Sequence, residues 1–235
     1  MKRFWEIDTA RGIAIILMVV FHLFRDLKYF QVFAFESFGF WWVFPRIIAS
    51  MFIFLVGISL SVSYSRTKNK SFRKYLKRGL KIFSWGLIIT AVTWAMVPES
   101  FIFFGILHFI GVGVIIAYPF LKKPKYNLQA GLAFVVFGWV ISGFFFDFPY
   151  LMPLGFFARG IQTFDYFPLF PWFGLVLIGT WFGNLLYPDG ERYLKIKNID
   201  NTTTRILSFM GRNSLKIYLI HQPITIGLAY LLSTL

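Results

Sequence analysis

Residues 82–97, IFSWGLIITAVTWAMV, run for sixteen positions without a charged side chain. A water-soluble domain cannot hide many segments of this kind, and exposed they form aggregation surface. The chain has many of them. Of its 235 residues 57% are hydrophobic and only 14% are charged, and the mean hydropathy is +0.66. The solvent for such segments is lipid. In lipid every backbone amide must be satisfied within the protein, which leaves helices or a closed barrel. Barrel strands alternate apolar and polar residues over about ten positions, whereas this run is continuous and long. The sequence therefore predicts an all-α, polytopic integral membrane protein, multi-pass in the cell membrane.

Seven segments approach the roughly 20 residues that a helix needs to cross a bilayer. They are 10–30, 41–63, 82–98, 101–121, 127–147, 168–187 and 213–234, and they fill the chain as a single membrane domain over residues 1–235. The N-terminus begins like a secretion signal, with Lys2 and Arg3 before an apolar run. Glu6, Asp8 and Arg11 interrupt that approach, and Phe24-Arg25-Asp26-Leu27 lacks the small residues of a cleavage site. It reads as a retained first span. Lys and Arg set the orientation. With the N-terminus inside, the inner segments hold Lys2, Arg3, Arg11, the eight cations of Arg66–Lys81, Lys122, Lys123, Lys125, Arg192, Lys195, Lys197, Arg205, Arg212 and Lys216. These are twenty of the 24 Lys and Arg; only Arg25, Lys28, Arg46 and Arg159 fall outside. The expected topology is N-inside and C-outside. The longest outer loop, about 148–167, is rich in aromatics, Gly and Pro and is placed to cover a site.

A net charge of +14 would suit nucleic acid, but its confinement to short inner segments is explained by orientation, so no nucleic-acid partner is expected. The absence of cysteine excludes disulfides, thiolate metal sites and a cysteine nucleophile. No metal-binding spacing, phosphate-binding glycine loop or Gly-x-Ser-x-Gly element occurs. Gly179-Thr180-Trp181-Phe182-Gly183 has the GxxxG form of close helix contact, which allows a homodimer.

The first span carries the unusual chemistry. Its charge-free stretch, Ile13 to Phe24, is twelve residues, or about 18 Å of helix, against a hydrocarbon core of about 30 Å. Arg11 at one end and Arg25 and Asp26 at the other therefore lie at membrane depth. From Arg11 to His22 the helix turns through about 1100°, within about 20° of a whole number of turns, and Asp26 follows one turn later. Arg11, Ile15, Met18, His22 and Asp26 form one stripe. Arg11 alone is explained by snorkelling. The aligned set points to a site, because intramembrane ionisable residues are costly and usually line cavities.

Arg11 and His22, with ten residues between them, have the signature spacing of the membrane acyltransferase-3 families. The wider text resembles more closely the catalytic domain of heparan-alpha-glucosaminide N-acetyltransferase and its prokaryotic relatives. The matching pieces are EIDTARGIAIILMVVFHLFRDL (6–27), ASMFIFLVGISL (49–60), FFGILHFIGVG (103–113), DYFPLFPWFGLVLIG (165–179) and FMGRNSLKIYLIHQP (209–223). The resemblance implies transfer of an acyl group, typically acetyl, from cytosolic acyl-CoA to an acceptor reached from the far side. It implies that His22 is the essential histidine and that Arg11 serves the acyl donor.

Physical chemistry is consistent with those roles. The rise from Arg11 to His22 is about 16 Å, comparable to an extended pantetheine arm. An arginine suits a donor phosphate, and a histidine takes a proton from an attacking hydroxyl or amine. Asp26 would hold the imidazole tautomer. A transient acyl-histidine is the alternative route, and the sequence does not choose. His108, with Gly105 and Gly111 flanking its face, divides evenly between a site role and helix packing. His221 shares a face with Ser214, Tyr218 and Thr225 nearer the inner half, where a donor channel or an interhelical hydrogen bond explains it. Arg46 and Asp165 fall near outer span ends, where they can pair with each other or with Arg25 and Asp26. The basic Arg66–Lys81 loop attracts CoA phosphates or anionic membrane lipid, although topology alone accounts for it.

The expected function is acetyl transfer from acetyl-CoA to a carbohydrate-like hydroxyl or amine on the outer side, with no metal. One rival is a proton-coupled small-molecule transporter using His22 and Asp26 as a relay. The other is a structural subunit whose polar stripe only pins helices together. The Arg-to-His separation favours the enzyme, since a relay does not need it.

Overall fold

Each of the seven apolar segments contains helix in the structure, a computed structural model that describes residues 3–35, 38–194 and 196–235. Lys2 and Lys195, counted toward orientation, lie outside the described residues. In chain order the helices are α1 (Trp5–Tyr29), α2 (Phe40–Ser65), α3 (Phe72–Met96), α4 (Ile106–Ile116), α5 (Tyr118–Leu121), α6 (Asn127–Ile141), α7 (Leu169–Leu186), α8 (Thr202–Arg212) and α9 (Ser214–Ser233). Two short strands, β1 (Phe145–Phe146) and β2 (Phe157–Ala158), pair in parallel.

Among the described residues, α1, α2, α3, α7 and α9 are long and apolar enough to cross a membrane. That is five span-length helices where the sequence predicts seven. The helix α4 has 11 residues and α6 has 15, short of the roughly 20 required. Their predicted segments lose length for local reasons. Residues 100–104 run alongside 163–167, with Phe164 N–H donating to Ser100 O at 3.2 Å and Phe167 N–H to Phe104 O at 3.0 Å. Extended pairing thus uses up the start of the fourth segment. Pro119 restarts its far end as the separate turn α5. The fifth segment stops at Ile141 and passes into β1.

The helices gather into two units, Met1–Leu55 with Lys195–Leu235, and Val56–Leu194, so that α2 begins in one and ends in the other. In the first, α1 crosses α8 at backbone contact. A Cβ on Gly12 would stand 2.0 Å from the Leu207 carbonyl oxygen, and one on Gly211 would stand 1.8 Å from that of Asp8. Only glycine permits this approach at either position. The Thr9 and Ser208 hydroxyls hydrogen-bond across the same crossing at 2.9 Å. Beyond it Ile15, Met18 and Ile48 form an apolar core, with Met210, Ile217 and Tyr218 packed around it.

The helix α8 forms where the charge pattern predicts inner loop. It is short and strongly amphipathic, and Asn201 caps it by accepting from Thr204 N–H at 2.8 Å. Arg205 grips Asp200 through two hydrogen bonds of 2.6 and 2.8 Å. This hydrogen-bonded guanidinium holds the Asp200 carboxyl below its usual range.

In the second unit the same device recurs. Gly79 meets Gly111 between α3 and α4, and Gly131 meets Gly174 between α6 and α7. Gly183 faces Ile58 and Ser61 of α2, while Gly57 of α2 faces Val176, Gly179 and Thr180. The GxxxG face of α7 is therefore occupied by α2 of the same chain and is not open for a homodimer. Asn127 donates to Thr180 Oγ1 at 2.8 Å, tying the start of α6 to α7. The aromatic segment before α7 is folded upon itself. Met152 is fully buried, and the Tyr166 hydroxyl donates to its carbonyl at 2.8 Å. Burial pushes the Tyr166 phenol up.

Candidate functional site

The stripe expected on α1 exists. Ile15, Met18 and Asp26 are buried, and Arg11 and His22 are half-buried. At its first end, Asp8 is buried and receives a hydrogen bond from Arg11 Nη1 at 3.2 Å. Arg3 stands 4.0 Å from its other oxygen. Asp8 is thus a ligand of Arg11 that the sequence reading passed over as an interruption of a signal-like run. The signal was its spacing, since residues i and i+3 share a helix face.

Toward the other end, the His22 Nδ1 lies 2.8 Å from the Met18 carbonyl oxygen. A carbonyl only accepts, so Nδ1 carries the hydrogen and Nε2 is left as a basic lone pair. The His221 Nδ1 lies 2.6 Å from the Tyr218 carbonyl oxygen, which imposes the same tautomer. The two rings meet edge to face, with centroids 4.7 Å apart. His221 Nε2 is buried and has no hydrogen-bond partner among the described residues.

Two expectations change here. The orienting role given to Asp26 is filled by the Met18 carbonyl. Asp26 instead accepts from Gln222 Nε2, at 3.0 Å to one oxygen and 3.2 Å to the other, which leaves its carboxylate joined to α9. The sequence predicts His221 nearer the inner half, yet its ring is in contact with that of His22. The helix α8 lies beside the first turns of α1, from Asp8 to Gly12. It therefore takes up the level where α9 was expected to begin, and α9 starts further along. Gln222 was not singled out at all; its signal was its place beside His221 in a helix otherwise poor in amide side chains.

The remaining candidates are engaged locally. At the start of α4, Gly105 N–H donates to His108 Nδ1 at 3.2 Å, so His108 carries its hydrogen on Nε2, facing Thr90 Oγ1 at 3.3 Å. Thr90 in turn donates to Ile102 O at 2.6 Å. Both nitrogens of His108 are committed, and the ring lies between Phe104 and Phe83 with Gly86 against it. Asp165 accepts from Ile106 N–H at 2.9 Å, placing a carboxylate at the amino end of α4. These two residues close a helix start. Arg46 is exposed at its guanidinium, donates to Trp42 O at 2.5 Å and stacks on the Trp42 ring at 3.7 Å.

What α1 and α9 assemble is a pair of anchored, Nε2-basic imidazoles beside a carboxylate–amide pair, with an arginine–aspartate pair further along α1. Groups of these types can exchange protons or acyl groups. The chain belongs to the heparan-alpha-glucosaminide N-acetyltransferase catalytic family, whose sequence model matches residues 3–223. All five segments that carry the resemblance lie inside that range. By family it is a membrane acetyltransferase. Searches among curated proteins and among solved structures found no match.

Proposed function

We propose that the protein moves an acetyl group from acetyl-CoA to an amine or hydroxyl of a carbohydrate-like acceptor. The donor enters from the side of the N-terminus, which the Lys and Arg bias places in the cytosol, and the acceptor from the opposite face of the cell membrane. The observation that carries this reading is the anchored His22 imidazole. Its Nδ1–H is held by Met18 O at 2.8 Å, which fixes the tautomer and leaves the lone pair on Nε2. A base or nucleophile so held is what acyl transfer asks for. Arg11, about 16 Å along the same helix, is held by Asp8 and offers a planar guanidinium to a donor phosphate. The same Arg-to-His spacing supports a place among the acyltransferase-3-like enzymes.

Purified protein in lipid nanodiscs, given radiolabelled acetyl-CoA and glucosamine, is expected to yield acetylated sugar. His22→Ala is expected to lower turnover by about 10²–10⁴ while still binding acetyl-CoA. Arg11→Ala is expected to weaken acetyl-CoA binding, and Arg11→Lys to restore part of it, because lysine lacks the planar fork. Wild-type turnover in well-folded His22→Ala ends the assignment. His22-dependent solute uptake with no CoA requirement would turn the reading to a transporter.

A further inference from the structure

An acyl transfer that passes through His22 sets two tasks, and the His22 ring has one nitrogen to meet them. Nδ1–H is engaged with Met18 O, so when Nε2 bonds to the acyl carbon the ring has no lone pair left to take a proton from the acceptor. Another base is then required. His221 is more than nine-tenths buried, and its Nε2 is closed to solvent with no partner among the described residues. Leaving a buried acceptor unsatisfied is costly, and such a group in a folded protein asks for a reason. Its ring is 4.7 Å from that of His22. Its own Nδ1–H is anchored by Tyr218 O, which fixes Nε2 as the acceptor atom.

We propose that His221 is the second base of the site, taking the acceptor's proton at Nε2 while His22 Nε2 carries the acyl group. The proposal rests on the acetyl-CoA reading of His22. In the first step the His22 Nε2 lone pair attacks the thioester carbonyl carbon. The N–C bond forms, the C–S bond breaks with its electron pair passing to sulfur, and the acetyl-imidazolium keeps its Nδ1–H on Met18 O. In the second step the acceptor amine attacks that carbon, its proton passes to His221 Nε2 directly or through one water, and His22 leaves with its electron pair as neutral imidazole. His221 then gives its proton to solvent, balancing the thiolate that left in the first step. The sum is amine and thioester to amide and thiol. Neither ring needs to flip, because each keeps its Nδ1 anchor throughout.

The test separates the two steps. Acetyl-CoA alone is expected to release a burst of about one equivalent of CoA per protein from wild type, and equally from His221→Gln and His221→Ala. Both variants are expected to lose about 10²–10⁴ in transfer to glucosamine, and added imidazole is expected to restore part of the transfer in His221→Ala. Glutamine keeps an N–H for Tyr218 O, so loss in His221→Gln with the burst intact is not a folding defect. Wild-type transfer in both variants overturns the role of His221, as does loss of the burst in both, or wild-type turnover without any burst. Wild-type protein that consumes no acetyl-CoA overturns the proposed function itself, and the inference with it.

Discussion

Carbonyl oxygens choose the chemistry of these histidines. Met18 O and Tyr218 O each draw the hydrogen of a ring to Nδ1, so both imidazoles on α1 and α9 present a basic Nε2. The Gly105 N–H does the opposite to His108, taking its Nδ1 lone pair and spending the ring on the start of α4. Asp26 sits one turn beyond His22 but is bound to Gln222, so its carboxylate holds α9 against α1. A graded outcome follows. Asp26→Asn keeps a hydrogen-bonding side chain toward Gln222 and loses only charge, so turnover is expected to fall less than in His22→Ala. Gln222→Leu leaves the buried carboxylate unpaired and is expected to cost about 1–3 kcal/mol of stability, seen as a lower thermal midpoint in detergent. A larger rate loss in Asp26→Asn than in His22→Ala would instead make the carboxylate the principal catalytic group. The sequence made the α1 stripe legible because helical geometry alone fixes which residues share a face. It could not disclose the partner of Asp26 or the meeting of His22 with His221, since both depend on how far along α1 the helix α9 begins.

That offset is set at the level of elements. Span-length apolar helices announce themselves by composition, and α1, α2, α3, α7 and α9 were all readable. The helix α8 was not, because eleven residues with exposed Arg205 and Arg212 look like an inner loop. Its docking depends on two glycines that no periodicity flags. Without a hydrophobic drive between helices in lipid, association relies on close backbone approach by small residues, and Gly12 and Gly211 supply it. Gly12→Leu forces a side chain into the Leu207 carbonyl and is expected to cost at least about 1–3 kcal/mol, as for overpacking. It should also displace α8 and so shift His221 along His22. The check is a pair of measurements on Gly12→Ala and Gly12→Leu. Thermal stability and acetyl transfer are expected to fall together, and more steeply for leucine. Unchanged transfer in a destabilised Gly12→Leu would uncouple α8 from the site.

At the scale of the whole molecule, five and seven crossings of the bilayer agree on more than they dispute. Both numbers are odd, so both put the C-terminus opposite the N-terminus. With the Lys and Arg bias, a cysteine at Ser233 is expected to react with an impermeant thiol reagent in intact cells and one at Asn69 to be protected. The two counts part at the loop after α5. If α4 with α5, and α6, complete crossings, then Lys122, Lys123 and Lys125 lie on the N-terminal side; if they do not, these cations lie on the other. From Ile106 to Leu121 the two helices cover about 24 Å, less than a full core of about 30 Å. The packing argues for crossing all the same, because Gly79 and Gly111 bind α4 to α3 and Gly131 and Gly174 bind α6 to α7. The shorter helices thereby lie against span-length ones. Three lysines at their junction, beside exposed Tyr126, also fit a cytosolic face better than an outer one. A cysteine at Lys125 is therefore expected to be protected in intact cells and to react only after permeabilisation, as at Asn69. Labelling at Lys125 without permeabilisation, with Asn69 protected and Ser233 labelled, would fix the number of crossings at five. Labelling at Asn69 with protection at Ser233 would reverse the orientation and place the acyl donor at the Asp26 end of α1.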